Sequence, residues 1–234
     1  MARHIGGQTA IVTGASKGIG REIVRILLEN GVNVVAVARN EYSLEKLQEE
    51  MRVGKRLLAI ACDIRDPLEV ERLFEVATDH FERIDMLINN AGVGSFQAIE
   101  ELELPLLHEI IDTNLLAVFY TCQTAFRHMK RRGRGQIVNI AGVHGLEGVP
   151  NAAAYCASKW GVVGLSESLR LEGRPHGIRV AVVSPGLVET DFAGYPATAK
   201  GRGLKPETVA EAVFYMLTLG EDAKMSSLVL RHDE

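Results

Sequence analysis

The chain has 234 residues, 47% of them hydrophobic and 24% charged, with a net charge of −4. That length and apolar content suit one substantial core, so one domain is expected over residues 1-234. The slight acidity gives no general attraction for nucleic acid, no run approaches the roughly 20 apolar residues of a membrane span, and Met1 to Gln8 lacks the apolar stretch of a secretory signal.

Taken in order, short β-branched runs alternate with longer amphipathic ones, the pattern of an α/β protein with a parallel sheet between helices. Strands are expected at Gln8–Thr13, Asn33–Ala38, Arg56–Ala61, Met86–Asn89, Gln136–Ile140, Ile178–Ser184 and Ser227–Leu230. After the first comes a glycine turn, Gly14, Ser16, Lys17, Gly18, Ile19 and Gly20, leading into a helix over Arg21–Glu29 that Gly31 terminates. Strand, glycine turn and helix in that order make a pyrophosphate site: glycines allow close backbone approach, and the helix start offers unpaired N–H groups to an anion. The arrangement is that of a Rossmann-type, doubly wound sheet with its ligand crevice at the carboxyl ends of the strands.

At the end of the second strand, where an acid would hold the ribose of NAD, stand Ala38 and Arg39. Arg39, with Lys17 beside it, suits a 2′-phosphate, so NADP(H) is expected in preference to NAD(H). Pro67 and Pro206 mark helix starts. A helix is expected from Leu104 to Met129, apolar on more than one face, and Lys130, Arg131, Arg132 and Arg134 read as a solvated terminus complementing its dipole. Cys62, Cys122 and Cys156 are too scattered for a disulfide framework or a zinc site, which points to a reducing, cytoplasmic setting, and the histidines show no metal-ligand spacing.

With Asn89-Asn90-Ala91-Gly92 after the fourth strand, Asn114, Tyr155-x-x-x-Lys159 on a helix and Ser184-Pro185-Gly186 after the sixth strand, the chain resembles the short-chain dehydrogenase/reductase family over nearly its whole length, especially NADP-preferring carbonyl reductases of the 3-oxoacyl-carrier-protein type. The resemblance implies that Asp63 contacts the adenine, that Asn90, Ala91 and Gly92 line the adenosine side, that Thr190 holds the nicotinamide carboxamide, and that Ile64, Pro185, Gly186 and Val188 also belong to the cofactor site. Asn89 reads as a structural tie between strands. Tyr155 would be the general acid of carbonyl reduction and the base of alcohol oxidation. Lys159, four residues on and on the same helix face, would lower its pKa and hold the nicotinamide ribose, while Asn114 would position a proton-relaying water. The implied substrate is a small carbonyl compound or alcohol. A homodimer or homotetramer is expected through the helices at about 104–130 and 155–172, and the short tail Arg231 to Glu234 favours the dimer.

One position departs from the family pattern. Thirteen residues before Tyr155, where the family carries a serine that hydrogen-bonds the substrate carbonyl, stands Gly142, and His144 two residues later is a candidate replacement donor. Losing such a donor costs about 10²–10³ in rate, so a silent NADP(H)-binding protein acting as sensor or assembly partner is the competing reading. The segment 191–205, with Phe192 and Tyr195 as apolar contacts, reads as a short mobile lid over the substrate.

Overall fold

The computed structural model describes residues 3–192, 201–220 and 222–232. Seven parallel strands, β1 (Thr9–Thr13), β2 (Asn33–Ala38), β3 (Leu57–Ala61), β4 (Met86–Asn89), β5 (Gly135–Ile140), β6 (Ile178–Pro185) and β7 (Ser227–Leu230), form one sheet in the order β3-β2-β1-β4-β5-β6-β7. The chain thus winds outward in both directions from β1, as the doubly wound reading requires. Ile11 faces Val35 on one side and Leu87 on the other.

Alternation along the strands divides the core into two layers. Ala10, Val12, Val34 and Ala36 point to one face, where they meet α1 (Gly18–Glu29), α2 (Glu41–Met51) and α7 (Pro206–Thr218). Ile11, Val35, Val37 and Leu87 point to the other, against α3 (Pro67–Phe81), α5 (Ala117–Arg132) and α6 (Ala153–Gly173). Each fully buried Val, Leu, Ile or Phe contributes about 1.5–3 kcal/mol, so these layers supply the main driving force for folding. Local signals set the helix ends. Asp66 caps α3 by accepting from the Leu68 N–H ahead of Pro67, Pro206 opens α7, and Gly31, with φ +78°, ends α1 in a left-handed turn.

Several boundaries differ from the sequence reading. β1 starts at Thr9, β3 at Leu57 after a 3₁₀ turn over Gly54–Arg56, β5 at Gly135, and β6 runs on to Pro185; α1 starts at Gly18 rather than Arg21. The larger correction falls on the helix expected from Leu104 to Met129. It is α4 (Leu104–Ile111), a π-turn (Asp112–Leu116) and then α5 in one continuous path. One inserted residue shifts the apolar stripe by about 100°, and on a helix apolar on more than one face periodicity does not reveal that shift. Arg132 is not a free terminal charge either: its guanidinium bonds the Ile84 carbonyl and the buried Asp85, whose carboxylate also accepts from the Thr9 N–H and Arg83. Lys130, Arg131 and Arg134 remain exposed. Among the described residues no helix is long and apolar enough to cross a membrane.

Candidate active site

A cavity of about 1190 Å³ opens at the carboxyl ends of the strands. At one end lies the glycine turn, with Gly14, Ser16, Lys17, Gly18 and Ile19 on its wall. Gly14 has φ +63°, and a Cβ there would stand 2.8 Å from the Ala91 Cα; a Cβ on Gly20 would overlap the Gly14 carbonyl oxygen. The turn is locked from β4, because the Asn90 amide donates to the Thr13 and Gly14 carbonyls, both at 3.1 Å, and the Thr13 hydroxyl accepts from the Asn90 and Ala91 N–H groups. No side chain caps α1, which leaves its first-turn N–H groups for an anion. This cradle fits a dinucleotide pyrophosphate. Gly20→Ala must displace both the Gly14 carbonyl and the Asn90 amide; the expected outcome is a loss of about 1–3 kcal/mol in stability together with loss of dinucleotide binding, read by melting and fluorescence titration.

Along the β2 and β3 ends the wall carries Arg39, Asp63, Ile64 and Arg65. Arg39 and Lys17 are exposed. Asp63 does not present a free carboxylate to the cavity: Arg65 donates to it from Nε at 2.9 and 3.1 Å and from its backbone N–H at 3.1 Å. These bonds hold the Asp63 carboxyl below its ordinary pKa, chiefly through the Arg65 side chain. The sequence reading passed over Arg65, whose one signal was its place two residues after Asp63.

Tyr155, 8% exposed, and Lys159, 5% exposed, stand one helical turn apart on α6 and face the far end of the cavity with Gly142 and His144. The Lys159 ammonium donates to the Ile140 carbonyl at 3.0 Å, and burial lowers its pKa to about 8. The expectation that Lys159 lowers the Tyr155 pKa is corrected here. Burial outweighs the help of the Lys159 charge and pushes the phenol up, the ammonium being bonded to β5 and 5.7 Å from the centre of the tyrosine ring. Asn114 is also placed differently. It is wholly buried in the π-turn and off the cavity wall, its side chain bonded to the Val93 N–H and carbonyl and to the Ser158 hydroxyl, so the amide itself is not free to hold a water.

Where the resemblance implies a serine, Gly142 differs in its backbone as well as in lacking a side chain. With φ 102° and ψ 161° it occupies a backbone region that only glycine enters readily, although a Cβ would have room, 3.6 Å from the Pro185 carbonyl and 3.9 Å from the Tyr155 hydroxyl. The peptide then turns into a 3₁₀ segment, Val143–Gly145, that sets the His144 ring 5.4 Å from the Tyr155 ring, centre to centre. Burial, assisted by the nearby Lys159 charge and opposed by Glu147, lowers the His144 pKa, so the ring is neutral at pH 7 with one N–H to donate. Phe96 and Phe192 stand 6.2 and 5.9 Å from the Tyr155 ring and complete an aromatic mouth around the phenol. Phe96 gave no periodic signal because it lies in a loop.

The remaining predicted residues Ala91, Gly92, Pro185, Gly186, Val188 and Thr190 line the cavity too, whereas Gly20 supports it from behind. Of the 191–205 lid, residues 193–200, including Tyr195, lie outside the described residues. Asn89 has the structural place expected of it: it donates to Asn139 across β4 and β5 at 2.9 Å and accepts from Thr121, while Asn139 donates to Ser166. Below the site, the two strands and the helices α5 and α6 are therefore fastened by one buried polar network.

Comparison with known proteins agrees with this geometry. The family model described as short chain dehydrogenase matches residues 8–200. A putative ketoacyl reductase of Streptomyces coelicolor is 37% identical, with 92% of each chain covered. Among solved structures, a 3-ketoacyl-(acyl-carrier-protein) reductase from Brucella melitensis complexed with NADH has a TM-score of 0.91 at 29% identity, covering 97% of this chain and 98% of that one. An alcohol dehydrogenase from the archaeon Thermococcus sibiricus complexed with 5-hydroxy-NADP has a TM-score of 0.88 at 31% identity, with 96% of both chains covered.

Proposed function

Because this chain belongs to the short-chain dehydrogenase family and is an oxidoreductase of that type, we propose that it is an NADP(H)-dependent reductase of ketones or aldehydes, able to oxidise the matching secondary alcohols. The observation that carries the proposal is the pairing of a buried Tyr155 and Lys159 at one end of a cavity whose other end is a phosphate-binding glycine turn.

The cofactor, when bound, supplies or accepts the hydride. Everything else falls to side chains of this protein. Tyr155 gives its phenolic proton to the carbonyl oxygen in reduction and takes one from the alcohol in oxidation. Lys159, below its pKa of about 8, places a buried positive charge on the same wall, where it favours the phenolate left behind and can hold a ribose hydroxyl. Asn114 acts by position: it fastens the π-turn to Val93 and α6, so a proton-relaying water would be held by the main chain of that turn and not by the amide. Arg39 and Lys17 take the 2′-phosphate, which makes NADPH the preferred donor. Phe96, His144 and Phe192 favour an apolar group beside the reacting carbon. Leu116, Phe119 and Trp160, all more than a third exposed on the π-turn, α5 and α6, are the face through which two copies would pair.

His144 stands in for the serine as the donor that orients the substrate oxygen. His144→Ala is expected to lower reduction about 10²-fold with NADPH affinity unchanged. Gly142→Ser is expected to give no gain in rate and to cost about 1–3 kcal/mol of stability, because the backbone must hold a non-glycine residue at that torsion. A rise in rate with Gly142→Ser and no change with His144→Ala would reverse the assignment.

The glycine-only torsion at Gly142 is also what favours the second reading, a silent NADP(H) binder. Oxidation of NADPH followed by absorbance across a panel of ketones and aldehydes separates the two. Turnover supports the reductase; tight binding with no turnover on any member supports the silent binder.

A further inference from the structure

Arg65 belongs to none of the motifs that define the site, yet on the cavity wall it is committed to a single carboxylate. Its guanidinium and its own backbone N–H all bind one carboxylate, that of Asp63, at distances of 2.5 to 3.1 Å. Both side chains are about one-third exposed at the mouth of the cavity, beyond the ends of β2 and β3. The same wall carries Arg39 and Lys17. Arg39 is close enough to Asp63 to add to the field that stabilises its negative charge. Glu109 and Asp112 also act on Arg65 through their charges, so this guanidinium stands in a locally acidic field.

An acid at this edge works against a phosphorylated ribose in two ways. It repels the phosphate, and it competes for the arginine meant to bind it. A free carboxylate beside the adenosine ribose is, conversely, the device that suits NAD. We propose that Arg65 acts as a positioning residue for cofactor choice: by occupying Asp63 it screens the carboxylate and leaves Arg39 available for the 2′-phosphate of NADP(H). The inference rests on the NADP(H) reading and adds to it a residue that need not touch the cofactor.

The test is the ratio of NADPH to NADH affinity, measured by fluorescence titration on the wild-type protein and on Arg65→Ala, Asp63→Asn and the double variant. Any direct contact of Asp63 with the adenine affects both cofactors alike and cancels in the ratio. Arg65→Ala should lower the NADPH preference about tenfold, and the effect should shrink in high salt, where exposed charges are screened. Removing the acid as well, in the double variant, should restore the ratio to near the wild-type value. If the double variant stays as weak as Arg65→Ala, Arg65 contacts the phosphate itself and the screening role is overturned. If Arg65→Ala weakens NADPH and NADH equally, its role is merely structural and the proposal again fails. If wild type shows no preference for NADPH, the cofactor reading fails, and that result appears before any variant is made.

Discussion

Replacing Tyr155 with phenylalanine is expected to lower carbonyl reduction by about 10²–10⁴-fold while leaving NADPH affinity within a factor of about three. The substitution removes one oxygen from a ring that is already packed among Phe96, His144 and Phe192, so the cavity keeps its shape. What is lost is the hydroxyl proposed to exchange a proton with a substrate oxygen. The upward shift of the phenol sharpens the prediction, because a tyrosine held protonated is ready as an acid for reduction and needs Lys159 for the reverse direction. Oxidation of NADPH at wild-type rate by the phenylalanine variant would remove Tyr155 from the mechanism.

The second large effect is expected at Lys159, and it has opposite signs for activity and stability. Lys159→Met should reduce turnover about 10²-fold or more, since among the described residues no other cation lies at the tyrosine end of the cavity. Stability at pH 7 should rise. Burial lowers the lysine from 10.5 to about 8, so below pH 8 the folded state carries a charge it disfavours, a cost of about 3 kcal/mol at 1.36 kcal/mol per unit. Methionine removes that cost but leaves the Ile140 carbonyl without its donor, which returns about 1–2 kcal/mol of the gain. A net gain of about 1–2 kcal/mol, or a few degrees in melting temperature, is therefore expected at pH 7. Between pH 8 and 10.5 the unfolded chain binds more protons than the folded one, so wild type gains stability as pH rises and overtakes the variant. Melting curves for the two proteins should cross in that window. Parallel curves would mean that the lysine is not buried as a charge.

The sheet and its motifs were legible because they rest on periodicity and on residue types with narrow uses. Strand runs such as Val34 to Ala38, the prolines that open α3 and α7, and the glycine turn all act locally, and each emerged within a residue or two of its place. What the sequence withheld depends on three-dimensional context. The π-turn at Asp112–Leu116 shares its apolar stripe with an ordinary helix. The balance between burial and charge at Tyr155 depends on where the lysine head points, and Asn114 was assigned to solvent-facing work although its amide is fully bonded inside the protein. Arg65 went unnoticed because its significance lies in the carboxylate it covers.

Gly142 read as a deletion of one hydroxyl, and its torsion gives that change a direction. An L-residue entering there meets backbone resistance before its side chain can do anything useful, so a serine placed at 142 does not by itself supply a well-aimed hydroxyl. Relieving that resistance requires the 141–143 peptide to rotate, which would swing the loop that carries the imidazole. The torsion thus ranks the ways this site can be altered: changes at the histidine or the aromatic rim meet no such backbone resistance, whereas a serine at 142 does.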